Sequence, residues 1–120
     1  MTEPIGNTLT REKVLAMEPG RELDLLVDNH VMNRFEATGE HGTWVYPAPR
    51  SKKIAAAWEV LEKMQRAHVH INVNWMDDQY CAEVIEMDPE EGYKYLGQCY
   101  DVKTAPEAIS KAALLAVMDL

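Results

Sequence analysis

Three runs of alternating residues, separated by short turns, constrain this chain most. His68–Met76 places Val69, Ile71, Val73 and Trp75 on one face and His70, Asn72 and Asn74 on the other. Tyr80–Met87 sets Tyr80, Ala82 and Val84 against Cys81, Glu83, Ile85 and Met87, and Tyr93–Tyr100 follows. That period is the mark of a pleated strand with two unlike faces. Asp77-Asp78-Gln79 and Asp88-Pro89-Glu90-Glu91-Gly92 are too short to carry a crossover. The three runs therefore pair as an antiparallel meander.

Helical spacing surrounds the meander. In Arg50–Met64, Ile54, Ala57, Trp58, Leu61 and Met64 recur at i, i+3, i+4, i+7 and i+10. They form one apolar stripe with Trp58 at its centre, and Trp58 is expected to be buried. Ser51, after Tyr46-Pro47-Ala48-Pro49, is the expected N-cap. Upstream, Thr10 caps a short helix, Arg11–Met17, and Glu18-Pro19-Gly20 breaks it and opens another with Leu23, Leu26 and Val27 as its apolar stripe. Asp24 and Asp28 share another face at i, i+4, and read as a solvated surface. Thr43–Tyr46 reads as a short extended segment. At the C-terminal end Thr104-Ala105-Pro106-Glu107 is a capping box. Ile109, Ala112, Ala113, Ala116, Val117 and Leu120 then keep helical period, with Leu114 and Leu115 widening the apolar face.

The order is α-α-(β)-α-β-β-β-α in a single domain, 1–120, with residues 1–9 as a loose arm. One side of three strands offers too little surface for so many apolar helix faces. The fold class is therefore α+β, a three-layer α/β/α sandwich with helices on both faces of a small antiparallel sheet.

The blocks LTREKVLAMEPGRELDLLVDNHVM (9–32), KKIAAAWEVLEKM and TAPEAISKAALLAVM resemble, in order and wording, the phage ABA sandwich domain family. That resemblance implies the three-layer fold and a phage or prophage origin. It implies no reaction.

Charge narrows the partners. Twenty acidic against twelve basic residues leave a net charge of −8. This argues against general binding to nucleic acid or anionic membranes, which demand basic surfaces. The N-terminus lacks the basic and apolar regions of a signal peptide, and no apolar run approaches a membrane span. With Cys81 and Cys99 read as reduced thiols, a bacterial cytoplasm is the expected compartment. No cofactor motif appears. His68-x-His70 could share a metal on a regular strand, with Cys81 or Cys99 as a further ligand, but ordinary polar packing is the simpler reading. A Cys81–His70 nucleophilic pair lacks any mark of activation. The methionines read as core filler. No acid–base or nucleophile set is assembled, so an enzyme is the least favoured class.

One cluster points to a ligand. Arg50, Ser51, Lys52 and Lys53 crowd a helix N-terminus, where cations oppose the helix dipole unless an anion is present. Trp44 and Tyr46 lead into that turn and offer stacking surfaces. These six residues are the candidate site for a nucleotide-like anionic small molecule. A non-enzymatic binder of that kind, countering host defence, is one reading. An acidic interaction module that binds a host or phage protein is the other, and homo-oligomer formation stays open in both.

Overall fold

The computed structural model describes residues 9–33 and 47–120. The extended segment expected at Thr43–Tyr46 lies outside them. The described elements are α1 (Arg11–Ala16), α2 (Arg21–Leu26), α3 (Ile54–Arg66), β1 (Val69–Met76), β2 (Gln79–Asp88), β3 (Gly92–Val102) and α4 (Ala105–Val117). Helix α2 widens without a break into a π-helical turn, Val27–Val31.

The meander forms as its turns require. The sheet order is β1-β2-β3, with both pairs antiparallel. Met76 faces Gln79 across a two-residue turn in which Asp77 and Asp78 have φ 53° and 62°. Positive φ at both central residues matches the twist of a tight hairpin, and aspartate tolerates it. At the second turn Asp88 accepts backbone N–H bonds from Glu90 and Glu91 at 2.8 and 3.2 Å. Those bonds hold its carboxyl below the usual carboxylate range.

Helix α4 is the element on which the others pack. It contacts all three strands, α1, α2 with its π turn, and α3. Pro106 and every residue from Ala108 to Leu115 are buried. Thr104 caps it by accepting the Glu107 N–H at 3.3 Å. The Glu107 carboxylate turns instead to Lys111, at 2.7 Å. The Lys111 ammonium, on a side chain 2% exposed, also donates to the Leu15 carbonyl at 2.8 Å. One buried cation thus fastens α1 to α4, with its charge matched. On the sheet side, Gly97 of β3 lies so close to α4 that an added Cβ would stand 2.3 Å from the Ala112 carbonyl oxygen.

The described helices gather toward one side of the sheet. Helices α3 and α4 share a core cluster with Val69, Ala82, Val84 and Cys99, which all lie on one face of the sheet. Val14, Leu23, Val27 and Val31, from α1 and α2, join the same cluster through α4. Among the described residues no helix covers the other sheet face. The apolar helix faces are satisfied because α4 is apolar nearly all round and buries surface on several sides at once.

Helix α3 is rotated relative to the expected stripe. Its buried residues are Ala56, Ala57, Val60 and Met64. Ile54 and Trp58 are 55% and 58% exposed, so Trp58 is not the core residue its spacing suggests. The two alanines let α3 lie close to α4, and the larger side chains are left on the flank. Met76 and Met87 are also exposed rather than core filler, at 74% and 57%.

Candidate functional site

The segment before α3 is built around the two carboxylates of α2. The Ser51 hydroxyl donates to Asp24 Oδ1 at 2.6 Å, and the Ser51 N–H donates to the same oxygen at 2.8 Å. The Gly20 N–H donates to Ser51 Oγ at 2.9 Å. Asp28 accepts Arg50 Nε through Oδ1 and the Ala48 N–H through Oδ2, both at 3.0 Å. Arg50 Nη1 donates to the Ala56 carbonyl at 2.9 Å and also pairs with Glu59. Asp24, Asp28, Arg50 and Ser51 are 5%, 0%, 2% and 0% exposed. Asp24 and Asp28 are therefore not a solvated face. They clamp residues 48–51 against α2, and a charged, hydrogen-bonded pair tolerates such burial where a lone charge does not.

This geometry splits the expected anion site. Arg50 and Ser51 already have internal partners, whereas Lys52 and Lys53 are exposed. Trp44 and Tyr46 lie outside the described residues. Ser51 is not the N-cap of α3. That position is Lys53, with no side-chain capping bond. The Lys52 and Lys53 N–H groups donate to the Pro49 carbonyl at 3.3 and 2.9 Å, which places Ser51 in a tight turn before the helix. A serine after a proline pair reads as a cap only while its distant acceptor on Asp24 is unknown.

The histidines and cysteines stand apart. His68 precedes β1 with φ 65°, so it does not share a strand face with His70. The register sets His70 opposite Ile85 and Cys81 opposite Asn74, about 13 Å apart along the ladder. Cys99 is buried in the core, and burial pushes its thiol up to about 11. Among the described residues, no group of three or more His, Cys, Asp or Glu side chains could hold a metal ion. None of the described helices is long and apolar enough to cross a membrane.

Among the described residues, the sheet face turned away from α3 and α4 carries a cluster of exposed aromatic side chains. The register puts Tyr95 opposite Ile85 and Tyr93 opposite Met87 on that face. Tyr93, Tyr95, Tyr100 and Met87 are 68%, 55%, 45% and 57% exposed. The Tyr100 hydroxyl donates to Glu83 at 2.6 Å and accepts from Gln98 at 2.8 Å. The bond to the Glu83 carboxylate raises its phenol to about 12. Glu83, Asp88, Glu90 and Glu91 make the surroundings acidic. The tyrosines at 93 and 95 carry the legible signal, since i and i+2 on a strand share a face. The bulges in β3 hide which face that is.

A search of curated proteins and one of solved structures each found no match. The model of the phage ABA sandwich domain matches residues 12–114, from α1 through most of α4. The α+β fold, helices packed on an antiparallel sheet, fits that name. On this match over most of its length, the chain belongs to the phage ABA sandwich domain family.

Proposed function

We propose that this phage-family protein is a non-enzymatic interaction module acting in the host cytoplasm. Its working surface is the sheet face turned away from α3 and α4, and its partner is a host or phage protein with a basic rim around an apolar patch. The exposed set Tyr93, Tyr95, Tyr100 and Met87 carries this reading. Tyrosine and methionine are enriched at protein interfaces, and neighbouring aromatic and thioether groups supply large contact area. The acidic surroundings and the net charge of −8 favour a basic partner and speed its approach.

The test is affinity capture from infected and uninfected host cells with the wild-type chain and a Tyr93→Ala/Tyr95→Ala variant. One partner should be retained by wild type, lost from the variant, and bound more weakly as salt rises. Equal retention by both chains would remove the sheet face from consideration.

A second reading keeps a nucleotide-like anion at the start of α3. The uncapped first turn and the exposed Lys52 and Lys53 favour it. Countering host defence by capturing such a molecule belongs to this reading. A small anionic ligand retained in native mass spectrometry, and lost in Lys52→Glu/Lys53→Glu, would place it ahead.

A further inference from the structure

Strand β1 is an edge of the sheet and pairs only with β2 among the described residues. The two-residue turn decides which backbone groups that pairing uses. Met76 and Gln79 close the turn as a hydrogen-bonded pair, and such pairs alternate along an antiparallel ladder. His70, Asn72, Asn74 and Met76 thus direct their N–H and C=O groups to β2. Val69, Ile71, Val73 and Trp75 direct theirs outward. The outward set is wholly apolar, and β1 contains no proline and no Lys, Arg, Asp or Glu. Those are the residues that normally block edge pairing. The opposite edge is protected. The register of β3 is irregular at two places, and Asp101 lies there with φ 60°.

A groove of about 320 Å³ follows the β1 edge, lined by Trp58, Leu61, Glu62, Gln65, Val69, His70 and Ile71. Its lining takes residues from both faces of β1, so it wraps the edge rather than lying on one face. Trp75, farther along the strand, is 62% exposed.

We propose that β1 docks a second copy of this chain, the two β1 strands running antiparallel about a two-fold axis at Asn72, with Trp75 of each copy entering the groove of the other. The outward residues are centred on Asn72. Pairing Val69 with the partner's Trp75, and Ile71 with the partner's Val73, satisfies all of their N–H and C=O groups in both copies. Shifting the axis to another residue leaves some unpaired. Residues opposed across strands share a face, so the partner's Trp75 falls beside Val69, where the groove lies.

The area suits a dimer that dissociates on dilution. Two indoles of about 200 Å² each, 58% and 62% exposed, leave ~250 Å² open per copy. Ile54, Val73 and the strand backbone extend it toward the about 800 Å² per partner of a standard interface. Each copy carries net charge −8 while β1 carries none, so screening the repulsion strengthens the dimer. Binding of a basic partner at the sheet face has the opposite salt response, which separates the two.

Sedimentation velocity over a dilution series tests the proposal. A reversible dimer is expected, tighter in higher salt. Val73→Pro removes an outward N–H and leaves the β1–β2 ladder whole, and it should raise the dissociation constant roughly tenfold or more. Trp75→Ala should do the same. Cross-linking covers the case in which the proline variant fails to fold. In a Cys81→Ser background, Asn72→Cys places two thiols across the axis, with Cα atoms about 4.5 Å apart and within disulfide reach. It should cross-link under mild oxidation, and Asn74→Cys should not. A monomer at every concentration, a dimer unaffected by Trp75→Ala, or equal cross-linking at both positions would overturn the proposal.

Discussion

Replacing Gly97 with alanine would add one methyl group where β3 meets α4. That Cβ would stand 2.3 Å from the Ala112 carbonyl oxygen, 2.7 Å from the Ala116 nitrogen and 3.1 Å from the Ala116 Cβ. The first two are backbone atoms and cannot swing aside. Ordinary contact begins near 3.4 Å, so α4 must withdraw by about 1 Å over this turn. Overpacking of this kind costs about 1–3 kcal/mol, and a gap of 0.5–1 Å forfeits about a quarter to a half of each dispersion contact it opens. Alanine returns only about 0.4–1 kcal/mol through the unfolded chain. Because α4 contacts nearly every other element, the strain cannot stay local, and a net loss of about 1–3 kcal/mol is expected. Against a total of about 5–15 kcal/mol that is severe, and a chain of this size should melt roughly 10 °C lower. Urea unfolding, read by midpoint at constant slope, measures the loss. Gly20→Ala is the steric control, since nothing lies within 4 Å of its added Cβ, and it should cost no more than about 1 kcal/mol, the loss of a glycine N-cap on α2. A Gly97→Ala chain as stable as wild type would refute the close approach.

Three other outcomes follow from the same structure. Asp28→Ala leaves Arg50 Nε and the Ala48 N–H without their acceptor while Glu59 still pairs with Arg50, so chemical denaturation should show a loss of about 2–4 kcal/mol. Trp58→Ala should change stability little, because the ring is 58% exposed, and a neutral quencher should reach Trp58 readily in the monomer. The Cys99 thiol is raised from 9.0 to about 11, so the folded chain holds that proton more tightly than the unfolded chain. Its contribution is whole below pH 9 and is lost as pH rises toward 11. Cys99→Ala should flatten the fall of the melting temperature over that window. In the native wild type, Cys81 should react with a thiol reagent well before Cys99.

The sequence by itself determined the local structure. The alternating runs at 69–76, 80–87 and 93–100 and the tight aspartate turn require an antiparallel meander, since no other pairing closes over so few residues. Thr104 and the apolar residues at helical spacing after it specify a buried terminal helix. These features act between residues a few positions apart, where spacing is geometry. Only the tertiary structure decided which apolar surfaces meet. Ile54 and Trp58 match the helical stripe as well as Val60 does, but the alanines at 56 and 57 turn α3 toward α4 and leave Trp58 at an edge. Asp24 and Asp28 look like a surface pair until residues 48–51 fold back on them from more than twenty positions away. Tyr93 and Tyr95 could have faced a helix layer. They face outward because α4 is apolar enough to be packed by the sheet and the other helices together, and no described helix covers the second sheet face. Hydrophobic burial is not directional, so spacing names the candidates for the core and their competition in three dimensions selects among them.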